Sequence, residues 1–576
     1  MPLRVLRPTR ASSRTRAGGE ARRPNHPLGP LPASFTRRLT AGRLHFPHVV
    51  LLSKIVAQLT ACQGRDLHKQ SPCSRVPNRR RNPRRGAFKR IIRHSVSEWL
   101  QTRRLFVIIF ALGLFVMACR NVTDPDVWWH LRTGQIILQT REVPHADPYS
   151  YTRRGVPWID HEWLSQVLIY LLFRSGGWMA LTVTFGAVVA AALLLVFARS
   201  PGKPYLAAVG TLLGAFASAP SWGTRPQMIT FLLASAALLL LESSYNQPRR
   251  LWWIPLLVLL WANLHAGYAL GIGLLLLFVL GDALDTAFGF SSSGELVRRL
   301  KTSLPVLGFS LAVVVINPYG TKLYAYPLQT LHSRSMLTYI SEWVSPDFHE
   351  ARYVPLALMI LGTLVLPMFS PRRLRPRELV LLLAATYAAL RSVRHIPLYV
   401  LVAAPILSTL LDSWIAHFRR QLPAEKPLTR PRIAGHVLLL AAFAVFVAAR
   451  LAFIASRQPQ AEARQFPVGA VSYLRAQHPS GAMLNHYDWG GYFIWQLPQY
   501  PVYIDGRADV YGDALEDERS VLYWILRKDW REVLERRGIR LVVLPPDAPL
   551  VTALQLVAGW RQVYADAQAA ILTRQP

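Results

Sequence analysis

Long apolar runs, separated by short charged or Pro/Gly-rich stretches, make up most of the chain after residue 104. A helix that crosses a bilayer needs about 20 predominantly apolar residues. The runs predict eleven such helices, at 104–120, 178–198, 204–220, 226–243, 250–265, 266–285, 303–317, 353–369, 377–391, 396–413 and 434–455. The expected fold class is therefore an α-helical polytopic membrane protein with about 11 spans, followed by a C-terminal extracytoplasmic α/β domain at 456–576.

The placement of cations predicts which connections face the cytosol, because Lys and Arg concentrate in cytoplasmic loops. With eleven spans and a cytosolic N-terminus, five connections lie inside, and all five contain clustered cations: Arg199–Lys203, Pro248–Arg250, Arg298–Lys301, Arg372–Arg377 and Arg419–Arg432. The C-terminal domain then lies on the outer face. We expect a multi-pass membrane protein with a cytosolic N-terminus.

A strongly basic segment, residues 1–87, precedes the membrane region. The chain carries a net charge of +34, and residues 1–104 hold 24 Lys and Arg against three acidic residues. Such a segment buries too little apolar surface to fold, so we predict that it is mostly disordered. An arm for nucleic acid or anionic lipid, a transit peptide and a translated leader of little function all remain open. With 52% hydrophobic and 17% charged residues, the whole protein is not expected to have a nucleic-acid partner.

The region 88–455 begins with a basic interfacial helix and contains a long first outer loop, 121–162. This loop opens with Asp124 and Asp126 just past the first predicted span. Paired carboxylates suit a catalytic base with a neighbouring helper, or a divalent cation such as Mg²⁺ or Mn²⁺. Two solvated carboxylates at the end of a helix are the alternative. The same loop ends in Asp160-His161-Glu162. These residues could be metal ligands or acid/base groups, and the alternative is that they form part of a polar belt at the membrane interface. An interfacial helix is predicted to follow at 163–174.

Further ionisable groups recur at the predicted outer ends of later spans. Charged groups near a membrane interior are usually paired or functional. Cations beside carboxylates on this face suit an anionic lipid-linked phosphate, whereas salt bridges of Arg225 or Arg394 with Glu342 are the structural alternative. The candidate substrate-binding residues here are Arg225, His265, Glu342, Arg391, Arg394 and His395.

The C-terminal domain shows a mixed α/β pattern. Strands are predicted at 482–485, 502–504, 541–544, 562–565 and 569–573, and helices at 469–477, 491–496, 514–526, 530–537 and 548–560. Asp488 precedes a Gly-Gly pair that opens a helix, and Asp505 and Arg507 follow a predicted strand end, where site residues of α/β domains often lie. These three residues are added to the candidate substrate-binding residues. The alternative is a structural role, in which they stabilise turns and Asp505 and Arg507 form a buried ion pair.

Three motifs carry a resemblance to a known family: Asp124-Pro125-Asp126-x-Trp128-Trp129-His130, Trp489-Gly490-Gly491-Tyr492 and Asp505-Gly506-Arg507. Residues 104–576 resemble the C-type glycosyltransferase superfamily of membrane proteins, and look closest to bacterial members with no assigned reaction. Oligosaccharyltransferase catalytic subunits belong to this superfamily, but their Trp-Trp-Asp-x-Gly motif is only loosely echoed at 486–490. Recognition of a peptide sequon is therefore not implied.

The resemblance implies inverting transfer of a sugar from a polyprenyl-phosphate donor at the outer face of the bilayer. Asp124 or Asp126 would be the base in the first outer loop, or would hold a divalent cation, which is compatible with this chemistry but not required. The expected partners are the lipid bilayer and the lipid-linked donor. A transporter or flippase of a lipid-linked or anionic substrate, and a non-catalytic envelope protein, remain alternatives.

Overall fold

The computed structural model describes residues 101–418, 429–514 and 529–575. The basic leader, the interfacial helix predicted ahead of residue 101 and most of the helix predicted at 514–526 lie outside the described residues. The described part consists of a large helical bundle followed by a small α/β domain.

The bundle contains fourteen α-helices in the described part of the chain. They are α1 (Thr102–Ala118), α2 (Val127–Thr140), α3 (Trp163–Arg199), α4 (Pro204–Ser218), α5 (Gln227–Ser243), α6 (Trp253–Leu264), α7 (Tyr268–Ala287), α8 (Ser293–Val313), α9 (Tyr326–His332), α10 (Arg334–Tyr339), α11 (Val354–Phe369), α12 (Pro376–Arg391), α13 (Ile396–Phe418) and α14 (Arg430–Gln465). Each of the eleven predicted spans overlaps one of these helices.

Five of the described helical segments are long and apolar enough to cross a membrane: Trp163–Arg199, Tyr268–Ala287, Ala351–Phe369, Val393–Ala416 and Pro431–Gln465. A shorter apolar helix covers Gln227–Ser243. A polytopic helical membrane protein is the architecture that these segments define, and the count of eleven crossings stays a prediction.

Helix α3 contains a sharp kink that divides it into two parts. Gly177 has φ +59° and ψ −150°, a backbone conformation that glycine adopts without a steric penalty. The part before the kink matches the interfacial helix predicted at 163–174, and the part after it matches the span predicted at 178–198. The short first part ends the outer loop, and it positions Glu162 at its N-terminus.

Close packing of small residues joins α4 to α13. A Cβ atom added at Gly210 or Gly214 would overlap Ser408 or Val400 of α13, so the two backbones approach closely. Small residues four positions apart allow such packing between membrane helices, where tight van der Waals contact replaces the hydrophobic effect.

The C-terminal domain has a four-stranded sheet flanked by short helices. Its strands are β1 (Ala482–Asn485), β2 (Ile539–Leu544), β3 (Trp560–Ala565) and β4 (Ala570–Arg574), in the order β1-β2-β4-β3. β1 and β2 are parallel, and the other two pairs are antiparallel. The helices are α15 (Val468–Gln477), α16 (Gly490–Gln496), α17 (Ala508–Tyr511), α18 (Trp530–Arg536) and α19 (Pro549–Gln555).

Two local predictions for this domain were wrong. Residues 502–504 do not join the sheet; Val502 instead exchanges backbone hydrogen bonds with the first outer loop, donating to Tyr149 at 3.1 Å and accepting from Tyr151 at 3.1 Å. The segment is therefore extended, as its sequence indicates, but its partner is remote. The helix predicted at 548–560 ends at Gln555, and Trp560 already begins β3.

Aromatic and amide contacts join the domain to the bundle. Trp128 of α2 packs edge-on against Tyr492 of α16 and against Phe466, with ring centres 4.7 and 5.3 Å apart. The buried amide of Gln458 on α14 accepts from the backbone N–H of Val122 at 2.9 Å and donates to its carbonyl at 2.8 Å. The end of the last long helix is thus bonded to the segment that follows α1.

Candidate functional site

Arg225 joins three carboxylates from separate parts of the chain. Its Nε donates to Asp124 Oδ2, its Nη1 donates to Glu342 Oε1, and its Nη2 lies 4.0 Å from Asp126 Oδ2. The side chain of Arg225 is 21% exposed. The three carboxylates fully compensate the charge of the Arg225 guanidinium. The salt bridge between Arg225 and Glu342, which is the structural alternative in the sequence analysis, is therefore present. The same residues also converge on one point, as expected of a binding site.

Local chain chemistry places these groups. Asp124 and Asp126 follow the end of α1, with Pro125 between them and α2 starting at Val127. The backbone N–H of Asp126 donates to Asp124 Oδ1 at 2.9 Å, which fixes the turn. Arg225 directly precedes Pro226, at the N-terminal end of α5, and so extends from a different helix toward the same point.

The two aspartates differ in what they bind. Asp124 is 7% exposed, and both of its oxygens are engaged, by Arg225 and by the turn. Asp126 is 23% exposed. Its Oδ1 accepts from Trp129 Nε1 at 3.1 Å, and within the described part of the chain the one ion-pair partner of its Oδ2 is the guanidinium of Arg225, 4.0 Å away. Asp126 therefore has the more available oxygen.

Burial raises the pKa of both carboxyl groups, in Asp126 to about 7. For Asp126 the positive charge of Arg225 opposes this effect, while the negative charge of Asp124 adds to it. A carboxyl group with a pKa near neutrality can exchange a proton at physiological pH, which is the property that a general base requires.

A second cluster surrounds Glu162 at the start of α3. Three imidazoles approach its carboxylate: His265 Nε2 at 3.3 Å, His161 Nε2 at 3.4 Å and His130 Nε2 at 3.6 Å. Glu162 is 4% exposed. We call these four residues the Glu162 cluster.

Electrostatics divides the Glu162 cluster into one ion pair and two neutral rings. Burial alone would raise the pKa of Glu162, but the charge of His161 and its hydrogen bond hold that pKa well below its ordinary value. Burial opposes a charge on His161, yet Glu162 raises the pKa of this ring above its usual range. Burial lowers the pKa of His130 to about 4 and that of His265 to about 3.

Donor atoms of His161, Glu162 and His265 all lie within 4.8 Å of one another, so these residues could hold a metal ion. His161 Nδ1, His130 Nδ1 and His265 Nε2 are buried and have no hydrogen-bond partner among the described residues. His265 Nδ1 accepts from the backbone N–H of Gly267 at 2.9 Å, which leaves the ring proton on Nε2, facing Glu162. Donor types and spacing fit a divalent cation, and binding would displace the protons of His161 and His265.

The cations predicted at 391–395 lie beside the segment that contains Glu342. Arg394 donates its backbone N–H to the Glu342 carbonyl at 3.0 Å, and its guanidinium carbon lies 5.2 Å from the ring centre of Trp343. No carboxylate of the described residues forms an ion pair with Arg394 within 4 Å. His395 packs edge-on against Trp343, and Arg391 is exposed at the end of α12.

Asp505 and Arg507 form a buried ion cluster with the first outer loop. Arg507 Nη2 lies 2.7 Å from Asp505 Oδ2 and 2.7 Å from Asp147 Oδ1, and the guanidinium lies 4.8 Å from the ring centres of both Tyr149 and Trp158. These side chains have no exposed surface through which to touch a ligand. Asp488 is exposed on the domain, apart from this cluster.

The glycines of the C-terminal motifs lie directly against the aspartate loop. A Cβ atom at Gly506 would overlap Asp126 Oδ1, and one at Gly491 would come within 2.6 Å of the carbonyl oxygen of Pro125. Only glycine allows the backbone to approach so closely. The Gly-Gly and Asp-Gly-Arg motifs thus pack directly against the Asp124–Asp126 loop.

A cavity of about 540 Å³ opens next to the Glu162 cluster. The ring of Tyr326 in its wall stacks on His161, with centres 4.2 Å apart. Its other wall residues include two aromatic rings and three polar groups: Trp158, Tyr319, Lys322, Gln329 and Asp509.

The sequence identified some members of this region and missed others. Asp124, Asp126, Arg225 and Glu342 converge, and His265 lies in the Glu162 cluster nearby. His161 and Glu162 belong to the triplet expected to be either metal or acid/base groups or a polar interfacial belt, but they are not among the candidate site residues, and His130 stands inside the first motif. Asp147, Tyr326 and Asp509 carried no local signal that distinguishes them from loop residues.

Solved structures of membrane proteins share this fold. The oligosaccharyltransferase of Archaeoglobus fulgidus in its apo form aligns with a TM-score of 0.50 and 14% identity, over 77% of this chain and 70% of its own. AglB oligosaccharyltransferase of the same organism, in complex with an inhibitory peptide and a dolichol-phosphate, gives a TM-score of 0.49 and 13% identity over 76% and 69%. ArnT from Cupriavidus metallidurans in the apo state gives 0.44 and 15% over 81% and 97%.

No protein-family model and no curated protein matches the sequence. The likeness to the apo-form oligosaccharyltransferase shows a shared fold.

Proposed function

We propose that the protein is an integral membrane glycosyltransferase that moves a sugar from a polyprenyl-phosphate donor to an acceptor hydroxyl, with inversion at the anomeric carbon. The observation that carries the proposal is the placement of Asp126, a partly exposed carboxyl group with a raised pKa, beside Arg225 on this fold. The protein would lie in the bacterial inner membrane, with the C-terminal domain and the site on the outer face.

Asp126 is the residue that we assign as the general base. Its Oδ2 would accept the proton of the acceptor hydroxyl while the acceptor oxygen attacks the anomeric carbon. The bond from that carbon to the phosphate oxygen then breaks, and the phosphate leaves with the electron pair. Asp124, whose two oxygens are engaged, would position Arg225 and the backbone of Asp126 rather than take the proton.

Arg394 is the cation that we assign to the leaving phosphate. Arg225 already carries three carboxylates, so little of its charge is available to another anion. Arg394 is bonded through its backbone to Glu342 and stacks on Trp343, yet its guanidinium forms no ion pair with a described carboxylate. A guanidinium with free donors binds phosphate oxygens strongly and stabilises the charge that develops on them. His395 and Arg391 would contribute to the same positive region.

The acceptor would occupy the cavity beside the Glu162 cluster. The rings of Trp158, Tyr319 and Tyr326 offer flat apolar surfaces, and Asp509 and Gln329 offer hydrogen-bonding groups. A volume of about 540 Å³ is within the range of small-molecule sites.

A divalent cation, if the reaction uses one, would be held by His161, Glu162 and His265. Two imidazoles and a carboxylate favour Mn²⁺ over Mg²⁺, because Mg²⁺ prefers oxygen ligands. Such an ion would supply positive charge near the phosphate or the acceptor. Asp124 and Asp126, the ligands expected from the sequence, already have the guanidinium of Arg225 as their cation.

Transfer of label from a panel of radiolabelled polyprenyl-phosphate monosaccharides to membrane glycolipids, by purified protein in proteoliposomes, tests the proposal. We expect transfer with the parent protein, a loss of about 1000-fold in Asp126→Asn, and full transfer in Asp547→Asn, a matched change on the exposed surface. Full transfer by Asp126→Asn would refute the assignment of the base. Uptake of the labelled lipid without any transfer would favour the transporter alternative.

A further inference from the structure

A second polar cavity, of about 290 Å³, lies at the opposite end of α5 from Arg225. Arg225 precedes the first residue of α5, whereas Ser244, Tyr245 and Asn246, which line the cavity, follow the last. The 17 residues of α5 rise by about 25 Å in all. This cavity is therefore separate from the proposed transferase site and lies among the connections that the charge pattern places in the cytosol.

A stacked group of side chains holds the cavity in shape. The guanidinium carbons of Arg299 and Arg377 lie 3.8 and 4.0 Å from the ring centre of Tyr245, so the ring is enclosed between two cations. The Tyr245 hydroxyl donates to Asp282 Oδ1 at 3.0 Å. Arg299 also pairs with Glu295 at 2.8 Å and with Asp282 at 3.7 Å. Helices α5, α7, α8 and α12 are thereby fixed around the cavity, and the charge of Asp282 is compensated.

Three further donors line the cavity: the guanidinium of Arg298, the hydroxyl of Thr302 and the side-chain amide of Asn246. Arg298 and Asn246 are exposed and Thr302 is half-buried. No ion pair within 4 Å joins Arg298 to a described carboxylate, although its charge also acts on Glu295. The lining includes apolar side chains as well, among them Leu251, Leu275 and Phe278. The lining thus combines one cation and two neutral donors with a hydrocarbon surface.

We infer that this cavity binds the phosphate group of an amphiphilic phosphate ester, with Arg298, Thr302 and Asn246 as the donors. Charge-assisted bonds from a guanidinium are the strongest that a neutral-pH site offers to phosphate oxygens. The apolar wall would receive the glycerol and the first acyl carbons of a phospholipid. Nearby Arg249, Arg250 and Lys301 add a positive field that concentrates anionic headgroups. The same chemistry would accept free phosphate as a soluble ligand.

Native mass spectrometry measures lipid binding: the full chain in detergent is titrated with phosphatidylglycerol or with diacylglycerol, which lacks the phosphate. Calorimetry with inorganic phosphate measures binding of the soluble ligand. Arg298→Gln should weaken binding of phosphatidylglycerol about tenfold, which is about 1.4 kcal/mol, because a charge-assisted bond to the phosphate is lost. Arg432→Gln, an exposed change of equal charge in another predicted inner connection, should leave binding unchanged. Thermal melting of both variants verifies the fold.

Equal affinities of the parent and Arg298→Gln proteins would overturn the inference, as would an equal loss in Arg432→Gln or equally tight binding of diacylglycerol. Binding of inorganic phosphate that depends on Arg298, without binding of phosphatidylglycerol, would support the phosphate site and assign it a soluble ligand. None of these measurements depends on transferase activity.

Discussion

Asp126 Oδ1 lies directly against the α-carbon of Gly506, so that a Cβ atom at residue 506 would overlap it. Asp126 belongs to the loop after α1, and Gly506 belongs to the C-terminal domain, 380 positions later in the sequence. The carboxylate that we assign as the base is therefore held in place by a domain that contributes no proposed catalytic group.

Substitution Gly506→Ala should push the Asp126 carboxylate away from its position. A shift of about 1 Å at a reacting group reduces the rate by about 100-fold, so we expect a loss of this order in transfer at saturating donor. Gly273→Ala, where an added Cβ meets nothing within 4 Å, is the matched control. A Gly506→Ala protein that melts like the parent and transfers at the parent rate would show that the contact does not position the base.

The pH dependence of transfer should follow Asp126. Burial raises the pKa of this carboxyl group to about 7, and a base acts only when deprotonated, so the rate should increase as the pH rises through about 7 and fall at lower pH. Asp124→Asn removes the negative charge that contributes to this rise, and should move the midpoint to lower pH. Rate profiles from pH 5 to 9 measure both midpoints. An unchanged midpoint in Asp124→Asn would contradict the coupling.

The buried cluster at Arg507 should act on stability rather than on substrate binding. Arg507→Met leaves Asp147 and Asp505 buried without their cation, and removing one partner of a buried pair destabilises a protein by about 3–5 kcal/mol. We expect a clearly lower melting temperature in detergent. Arg561→Met, on the exposed surface, should melt like the parent. If Arg507→Met instead melts normally and raises only the KM for the donor, the substrate-binding role expected from the sequence is the better assignment.

Metal binding should depend on Glu162 and not on Asp124. After dialysis against a chelator and incubation with Mn²⁺, we expect about one ion per parent chain by elemental analysis, and none in Glu162→Gln, because the cluster loses its one carboxylate ligand. Asp124→Asn should keep the ion. Loss of the ion in Asp124→Asn, with retention in Glu162→Gln, would return the metal to the aspartate pair.

The sequence predicted those features whose signal is local. Apolar runs of sufficient length located the helices, including the interfacial helix at 163–174 as an element separate from the span at 178–198. The sequence also indicated that Asp124, Asp126, Arg225 and Glu342 converge. A charged side chain near the membrane boundary is energetically costly unless it has a partner of opposite charge, so each of these residues was expected to have one.

Features that depend on distant partners were not predictable in this way. Asp160, His161 and Glu162 are adjacent in sequence, but their side chains do not act together: Asp160 accepts from Gln166 at 2.6 Å, whereas His161 and Glu162 meet His265. Nothing local to Asp147 indicates that its partner is Arg507. The extended segment at Val502 likewise has a strand-like sequence, and only its tertiary contact decides that it pairs with Tyr149 and Tyr151.

The paired hydrogen bonds between Gln458 and Val122 have a consequence for biogenesis. A chain that emerges from the ribosome can insert its early helices in order. The loop after α1, however, cannot form its two hydrogen bonds to Gln458 until that residue, more than 300 positions later, has been synthesised. A ribosome-bound or truncated chain would thus be membrane-inserted and still inert. For the transferase that we propose, transfer would therefore begin only after Gln458 has been added to the chain, and shorter products would not consume a lipid-linked precursor.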